Sequence, residues 1–152
     1  PCLDRMGLYS KDAEELLIAT LAQVSLGGTY LRQLNDGPAL GIYQMEPTTH
    51  DSIWENFLLF RNDLAHKLVL QFNKMRKPHA TDMIHDLFYA TAMARIYYLK
   101  VSDPLPAFDD IDKIWQYYKS FYNTAIGGAK KEDFMKNYKK FTANSPPEPA
   151  QA

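Results

Sequence analysis

Apolar residues recur through most of the chain at intervals of three and four positions, which is the period of an amphipathic helix. The first run follows Ser10 and contains Leu16, Leu17, Ala19, Thr20, Leu21 and Val24. Ser10 is a favourable N-cap, acidic residues follow it in the first turn, and the pair Gly27-Gly28 stops the run. This pattern predicts a helix from Ser10 to about Ser25.

The same spacing predicts five more helices later in the chain. They span about residues 48–59, 61–75, 81–100, 110–123 and 131–141. Pro47 precedes the first of these helices, and Pro78 separates the second from the third. Residues 26–41 are rich in glycine, asparagine and aspartate and predict a loop, with at most one small hairpin near 29–43. The sequence therefore predicts an all-α fold of about six helices, built as one domain over residues 1–142.

The composition adds limits to this picture. Apolar residues make up 46% of the 152 residues, which is enough for one globular core. The net charge of -1 supplies no overall attraction to nucleic acid or to a membrane surface. No apolar run reaches the roughly 18 residues of a transmembrane helix and no signal peptide is visible, so we expect no membrane insertion. A single cysteine, Cys2, excludes an intrachain disulfide.

The end of the chain differs in composition from the rest. Its five clustered lysines are Lys130, Lys131, Lys136, Lys139 and Lys140. We interpret them as a solvated helix face, with an anionic polymer partner as the alternative. Residues 143–152 are rich in proline and contain no large apolar side chain, which predicts a disordered tail.

The sequence gives little sign of a metal or cofactor site. Asp82, His85 and Asp86 share one predicted helix face, but three ligands without a clear fourth are a weak metal signal. We interpret them as a helix cap and solvated surface residues. His50 and His66 are also predicted to lie on the surface, and both tryptophans in the core. No phosphate- or dinucleotide-binding motif is present, so no metal and no cofactor is predicted.

Three stretches of the sequence carry a family resemblance. They are GPALGIYQMEPTT at residues 37–49, FYATAMARIYYLK at 88–100 and SFYNTAIGGA at 120–129. In this order they resemble the central Gly-x-x-Gln motif, the long-helix motif and the Tyr-Asn motif of the soluble lytic transglycosylases and goose-type lysozymes. Together with the first predicted helix, the resemblance covers about residues 10–140.

The resemblance implies a lysozyme-like, all-α fold that cleaves the glycan strands of peptidoglycan. Members of this family protonate the leaving glycosidic oxygen with a glutamate at the end of the first helix, and a serine follows that glutamate. In this chain the glutamate position is occupied by Val24 and the serine is Ser25. Valine carries no proton to donate, so the resemblance implies that the expected catalytic acid is missing.

Other positions of the family motifs are retained, and we predict that they bind substrate. Gly41, Tyr43 and Gln44 belong to the central motif, and Tyr122 with Asn123 forms the Tyr-Asn pair. The resemblance implies that the segment around Gln44 walls the substrate groove and that Tyr122 contacts the acid. The expected partner is the glycan strand of peptidoglycan, with no nucleic acid.

Three explanations for Val24 are open from the sequence. The chain is an inactivated form of a glycan-cleaving enzyme, or it is a lysozyme-like virion structural, glycan-binding or partner-binding protein, or another carboxylate is the acid. Glu46 and Asp36 are the candidates for that carboxylate. Each also has a structural explanation, because Glu46 precedes a predicted helix and Asp36 lies in a predicted turn.

The resemblance also bears on location. A lysozyme-like module without a visible signal peptide suits a bacteriophage protein that acts in the virion or in the host cytoplasm or periplasm during lysis. The sequence leaves the oligomeric state open, and it does not decide between hydrolysed and anhydro products.

Overall fold

The computed structural model describes residues 1–71, 77–123 and 128–143. Eight α-helices lie in this part of the chain. They are α1 (Cys2–Met6), α2 (Lys11–Ser25), α3 (Pro47–Asn56), α4 (Asn62–Gln71), α5 (Asp82–His85), α6 (Leu87–Leu99), α7 (Ile111–Phe121) and α8 (Lys131–Thr142). Two 3₁₀ turns, Leu34–Asp36 and Leu58–Phe60, accompany them. The predicted all-α fold is confirmed.

Helix α2 begins and ends where the sequence predicts. The Ser10 hydroxyl accepts a hydrogen bond from the backbone N–H of Ala13 at 3.0 Å, as an N-cap does. At the other end, Leu26 and Gly27 adopt left-handed backbone conformations with φ of 49° and 68°. This sharp stop turns the chain into the loop that precedes α3.

The prediction of one helix over residues 81–100 is wrong at Asp86. There the backbone leaves the helical region (φ -107°, ψ 95°), and α5 ends while α6 begins. The Asp86 carboxylate accepts a hydrogen bond from the N–H of Tyr89 at 2.9 Å. A short acidic side chain stabilises an N-cap better than a helix interior, and this local preference overrides the apolar period.

The remaining elements differ little from those predicted. Isolated antiparallel bridges join Arg32 to Leu40 and Leu40 to Met45, which agrees with the prediction of at most one small hairpin near 29–43. Helix α1 was not predicted, because a five-residue helix is too short to display a period. Helix α4 ends at Gln71 among the described residues, and most of the predicted tail, 144–152, lies outside them.

Helix α6 lies at the centre of the core. Its buried residues are Tyr89, Ala90, Ala92, Met93, Ala94, Arg95, Ile96 and Tyr98. A helix that is buried on most of its circumference must be covered by neighbours on several sides. Helices α1, α2 and α5 all pack against α6, and α2 makes its most extensive contact with α8. None of the helices in the described part of the chain combines the length and apolar character needed to cross a membrane.

The prediction that His50 lies on the surface is wrong, because its side chain is fully buried. Its Nε2 lies 2.6 Å from the hydroxyl of Tyr89, which also accepts a hydrogen bond from the indole N–H of Trp54 at 2.9 Å. The Tyr89 hydroxyl can therefore donate its proton to Nε2 of His50. The ring proton of His50 then lies on Nδ1, which is 2.9 Å from an Asp51 carboxylate oxygen and can donate to it. These bonds are satisfied by a neutral ring. Burial lowers the pKa of His50 from its ordinary value of 6.5, although Asp51 opposes this shift.

We expect the free energy of unfolding to fall as the pH drops below about 6.5. In that range the unfolded chain binds a proton at His50 while the folded chain, with its lowered pKa, does not. Well above pH 6.5, His50 is neutral in the folded and the unfolded chain, so its titration no longer lowers the free energy of unfolding. The decrease should reach up to about 1.4 kcal/mol per pH unit until the pH reaches the folded pKa. Urea unfolding at several pH values measures it.

The control for this prediction separates the buried histidine from an exposed one. His50→Gln should flatten the pH dependence, even though the variant is less stable at neutral pH. His66→Gln, on the exposed side of α4, should leave it as in the parent chain. Equal pH dependence in the parent and His50→Gln would contradict the assignment.

Candidate functional site

A cleft of about 780 Å³ lies between four parts of the fold. Its walls are the end of α2, the loop before α3, the end of α7 and the start of α8. The loop and the three helix termini bring together residues that lie far apart in the sequence. A cavity of this size falls in the range of small-molecule binding sites.

Val24 lies in the last turn of α2 and lines the cleft. Its side chain is half-buried and also packs against the hydrophobic core. The next residue, Ser25, is fully buried and does not line the cleft. Its hydroxyl accepts from the N–H of Gly28 at 3.0 Å and donates to the carbonyl of Leu21 at 3.3 Å. Ser25 therefore shapes the turn behind the wall on which Val24 lies.

The loop before α3 is held in shape by Gly41 and Gln44. Gly41 has a φ of 78°, and a Cβ atom at this position would overlap the carbonyl of Met83. Gln44 also has a positive φ, 49°, and its side-chain amide donates to the Gly41 carbonyl at 3.0 Å. A second acceptor, the carbonyl of Tyr30, lies 3.5 Å from the same nitrogen. Gln44 thus lines the cleft and stabilises the loop, whereas Gly41 lies beneath it.

Tyr122 joins α7 to this loop. Its hydroxyl donates a hydrogen bond to the backbone carbonyl of Tyr43. The Tyr122 ring packs against Tyr97 and Tyr118, with centroids 5.0 Å and 6.0 Å away. Burial raises the pKa of Tyr122 well above its ordinary value, so the hydroxyl stays a hydrogen-bond donor near neutral pH. The Tyr43 ring is buried, its pKa is raised to about 12 by desolvation, and it does not line the cleft.

Asn123 lines the cleft beside Tyr122. Its side-chain oxygen accepts a hydrogen bond from the Lys119 ammonium at 2.9 Å. Its side chain also bonds to the Tyr118 hydroxyl, a contact that opposes the rise in the Tyr118 pKa caused by burial. Asn123 is therefore oriented by two neighbours on α7.

The cleft continues into a smaller cavity of about 260 Å³. Gln44, Glu46 and Tyr122 line both cavities, and Thr49 and Tyr97 belong to the smaller one. Because they share three lining residues, the two cavities adjoin, and we call them together the groove. Glu46 is exposed at the junction, directly before α3.

The structure separates the predicted site residues into two groups. The residues that line the cleft are Val24, Gln44, Glu46, Tyr122 and Asn123. Ser25, Gly41 and Tyr43 lie behind its walls, where they hold the turn, the loop and the Tyr122 hydroxyl. Asp36, the other candidate acid, is exposed on a 3₁₀ turn and does not line the cleft.

Several cleft residues have no counterpart among those predicted. They are the amides Gln23, Gln33 and Asn35, the aromatic residues Tyr30 and Tyr118, and the carboxylate Asp133. Asp133 lies in the first turn of α8, where an acidic residue is already explained by the helix dipole. Only its closeness in sequence to the Tyr-Asn stretch could have suggested a place in the cleft.

No protein-family model, curated protein or solved structure gives a significant match to this chain.

We expect Gly41→Ala to lower the free energy of unfolding by about 2 kcal/mol or more. Alanine at this φ is strained, and its methyl group would overlap the Met83 carbonyl, which is backbone and cannot rotate away. The loop that carries Gln44 should shift as a result. Chemical denaturation measures the stability, and the amide NMR shifts of residues that line the cleft report the loop.

Gly128→Ala is the control, because it is the same substitution at a glycine that lines the cleft. A Cβ atom there meets nothing within 4 Å. This variant should change stability by less than about 0.5 kcal/mol. Equal effects of the two substitutions would show that the contact with Met83 does not constrain the loop.

Proposed function

We propose that the cleft binds the glycan strand of peptidoglycan and that this chain is a glycan-cleaving protein in which valine replaces the general acid. The observation that carries the proposal is the position of Val24. It lines the same cleft as Gln44, Tyr122 and Asn123, which are the retained positions of the motifs. These residues come from three separate parts of the sequence, so their meeting in one cleft supports a shared role.

The lining of the cleft suits a carbohydrate. Amide side chains both donate and accept hydrogen bonds, as the hydroxyl and acetamido groups of sugars require. Gln23, Gln33, Asn35 and Gln44 supply such groups. Tyr30 and Tyr122 are partly exposed and add aromatic surface that can pack against the faces of sugar rings, whereas Tyr118 is buried. The extension past Glu46 gives room for more than one sugar.

Cleavage of a glycosidic bond needs a proton for the leaving oxygen. A glutamate at position 24 would lie at the cleft wall and against the core, where partial burial favours the protonated form of a carboxyl group. Valine has no proton to supply. The proposal therefore assigns glycan binding to this chain and only weak cleavage, or none.

Glu46 is the remaining candidate for an acid in the cleft. It lines both cavities, so a bound strand would pass close to it. Its side chain is exposed, however, whereas a general acid benefits from a desolvated setting. We therefore propose that Glu46 contacts the bound glycan. Whether it also takes part in catalysis is tested below with a Glu46 variant.

The second candidate function is a virion structural or partner-binding protein that reuses the same fold. Val24 favours it, because a protein that never cleaves needs no acid. The polar groove opposes it, because a scaffold does not require amides and tyrosines around an open cleft. Tests of cleavage and of glycan binding separate the two functions.

We expect Val24→Glu to create cleavage of purified peptidoglycan, because it places a partly buried carboxyl group in the cleft wall. A general acid contributes about 10²- to 10⁴-fold in rate, so the variant should exceed the parent chain by a factor in that range. Release of soluble muropeptides, separated by chromatography, measures the rate and identifies hydrolysed or anhydro products.

Val24→Gln is the control, since it has the size and polarity of glutamate without its acidity. It should remain as inactive as the parent chain. Glu46→Gln in the Val24→Glu background tests whether Glu46 takes part in the chemistry. If Val24→Glu gives no more product than Val24→Gln while folded and able to bind glycan, position 24 is not the acid position.

We also expect N-acetylglucosamine oligomers to raise the melting temperature of the parent chain. A ligand that binds only the folded state at about 100 times its Kd stabilises it by about 2.7 kcal/mol, which corresponds to several degrees. Ala129→Trp should abolish the shift, because Ala129 lines the cleft and the indole would fill it.

Ala107→Trp is the control for that binding test. Ala107 is exposed and lines a different cavity, so the added indole leaves the cleft open. The oligomers should stabilise this variant as much as the parent chain. If millimolar oligomer leaves the melting temperature of the parent chain unchanged, the chain does not bind glycan. That result would contradict the glycan-cleaving function and a glycan-binding role without cleavage alike.

A further inference from the structure

We infer that the cleft selects glycan strands whose hexosamines carry free amino groups over strands that are fully N-acetylated. The inference rests on the proposed function and narrows its substrate class. It starts from the charges around the groove. Both charged residues that line the described part of the groove, Glu46 and Asp133, are acidic, and neither cavity has a lysine, arginine or histidine in its wall.

The two carboxylates reach the cleft from different elements. Glu46 lies at the start of α3 and Asp133 in the first turn of α8. Both side chains are exposed, and neither forms an ion pair or a side-chain hydrogen bond with the residues that the structure describes. Their charges are therefore available to a ligand.

Lys130 and Lys136 lie three positions before and after Asp133, and two further lysines near the cleft, Lys119 and Lys131, contact other groups. The ammonium group of Lys119 donates a hydrogen bond to the side-chain oxygen of Asn123 at 2.9 Å. Lys131, at the start of α8, forms an ion pair with Asp112 at 2.8 Å. None of these four lysines is among the described lining residues, so the charged side chains in the described wall are both acidic.

The side chains of the wall should bind neutral and positively charged glycans with different affinities. Amides and tyrosine hydroxyls bind sugar hydroxyl groups in N-acetylated and free-amine strands alike, so they do not discriminate. A sugar ammonium group gains charge-assisted hydrogen bonds to a carboxylate, whereas a neutral acetamido group does not. A cleft lined by charges of one sign also raises the local concentration of ligands of the opposite sign. An aminosugar strand is the ligand that uses both effects.

The test compares two oligomers of equal length, a glucosamine hexamer and an N-acetylglucosamine hexamer. Isothermal titration calorimetry with the parent chain, in mildly acidic buffer of low ionic strength, measures both dissociation constants. We expect the glucosamine hexamer to bind roughly threefold to tenfold more tightly, the range for one or two exposed ion pairs. At about 0.5 M salt the difference should shrink, because exposed charges are screened.

Variants assign the preference to the two carboxylates. Glu46→Gln and Asp133→Asn together should remove the preference for glucosamine, so that the dissociation constants of the two hexamers lie within about twofold of each other. Asp36→Asn is the matched control, because it removes one nearby exposed charge outside the cleft wall. Asparagine also tolerates the left-handed backbone that Asp36 adopts. This variant should keep the preference.

The outcomes distinguish failure of the inference from failure of the proposed function. Equal or tighter binding of the N-acetylated hexamer overturns the inference and leaves the glycan cleft in place. A preference that survives the double variant, or that Asp36→Asn removes as well, also overturns it, since the charges at Glu46 and Asp133 are then not its source. Absence of binding by either hexamer overturns the proposed function and the inference together.

Discussion

The burial of α6 is the constraint on which the rest of the fold depends. This helix carries tyrosines and an arginine into the core, and each polar group buried there needs a hydrogen-bond partner. Tyr89 finds His50 and Trp54 on α3, and Tyr98 lies 2.8 Å from the Thr20 hydroxyl on α2. Among the residues that the structure describes, no buried side-chain nitrogen or oxygen lacks a partner. These polar contacts therefore determine where α2 and α3 pack along the axis of α6.

The same helix positions the opposite walls of the cleft. The contact with Thr20 holds α2, whose last turn carries Val24. On the other side, the Tyr97 hydroxyl donates to the carbonyl of Phe121 at 2.5 Å and holds the end of α7. The Tyr122 ring then packs on Tyr97, while its hydroxyl bonds to the loop before α3. Helix α2 and the end of α7 are thus each tied to α6 by a hydrogen bond, and the loop is tied to the end of α7.

The elements that the sequence predicts well are those set by local interactions. Helix α2 has a cap at Ser10, a regular apolar period and glycines after it, and all three act within a few residues. The break at Asp86 was missed because a capping preference competes with the period at the same position. The burial of His50 depends on Tyr89, a partner 39 positions away, and nothing near His50 in the sequence reveals it. Likewise, Asp133 enters the cleft only through the packing of α8 against α2 and α7.

The environment of position 24 explains how the cleft can keep its shape with valine at that position. A carboxyl group placed there loses part of its hydration, and that desolvation is unfavourable to folding. Valine packs against the core at the same position and leaves no polar group unsatisfied. The loop and α7 are held by Gly41, Gln44 and Tyr122, none of which requires a particular side chain at position 24. The shape of the cleft and the acidity of its wall are therefore independent features of this fold, so the proposed glycan binding does not depend on cleavage.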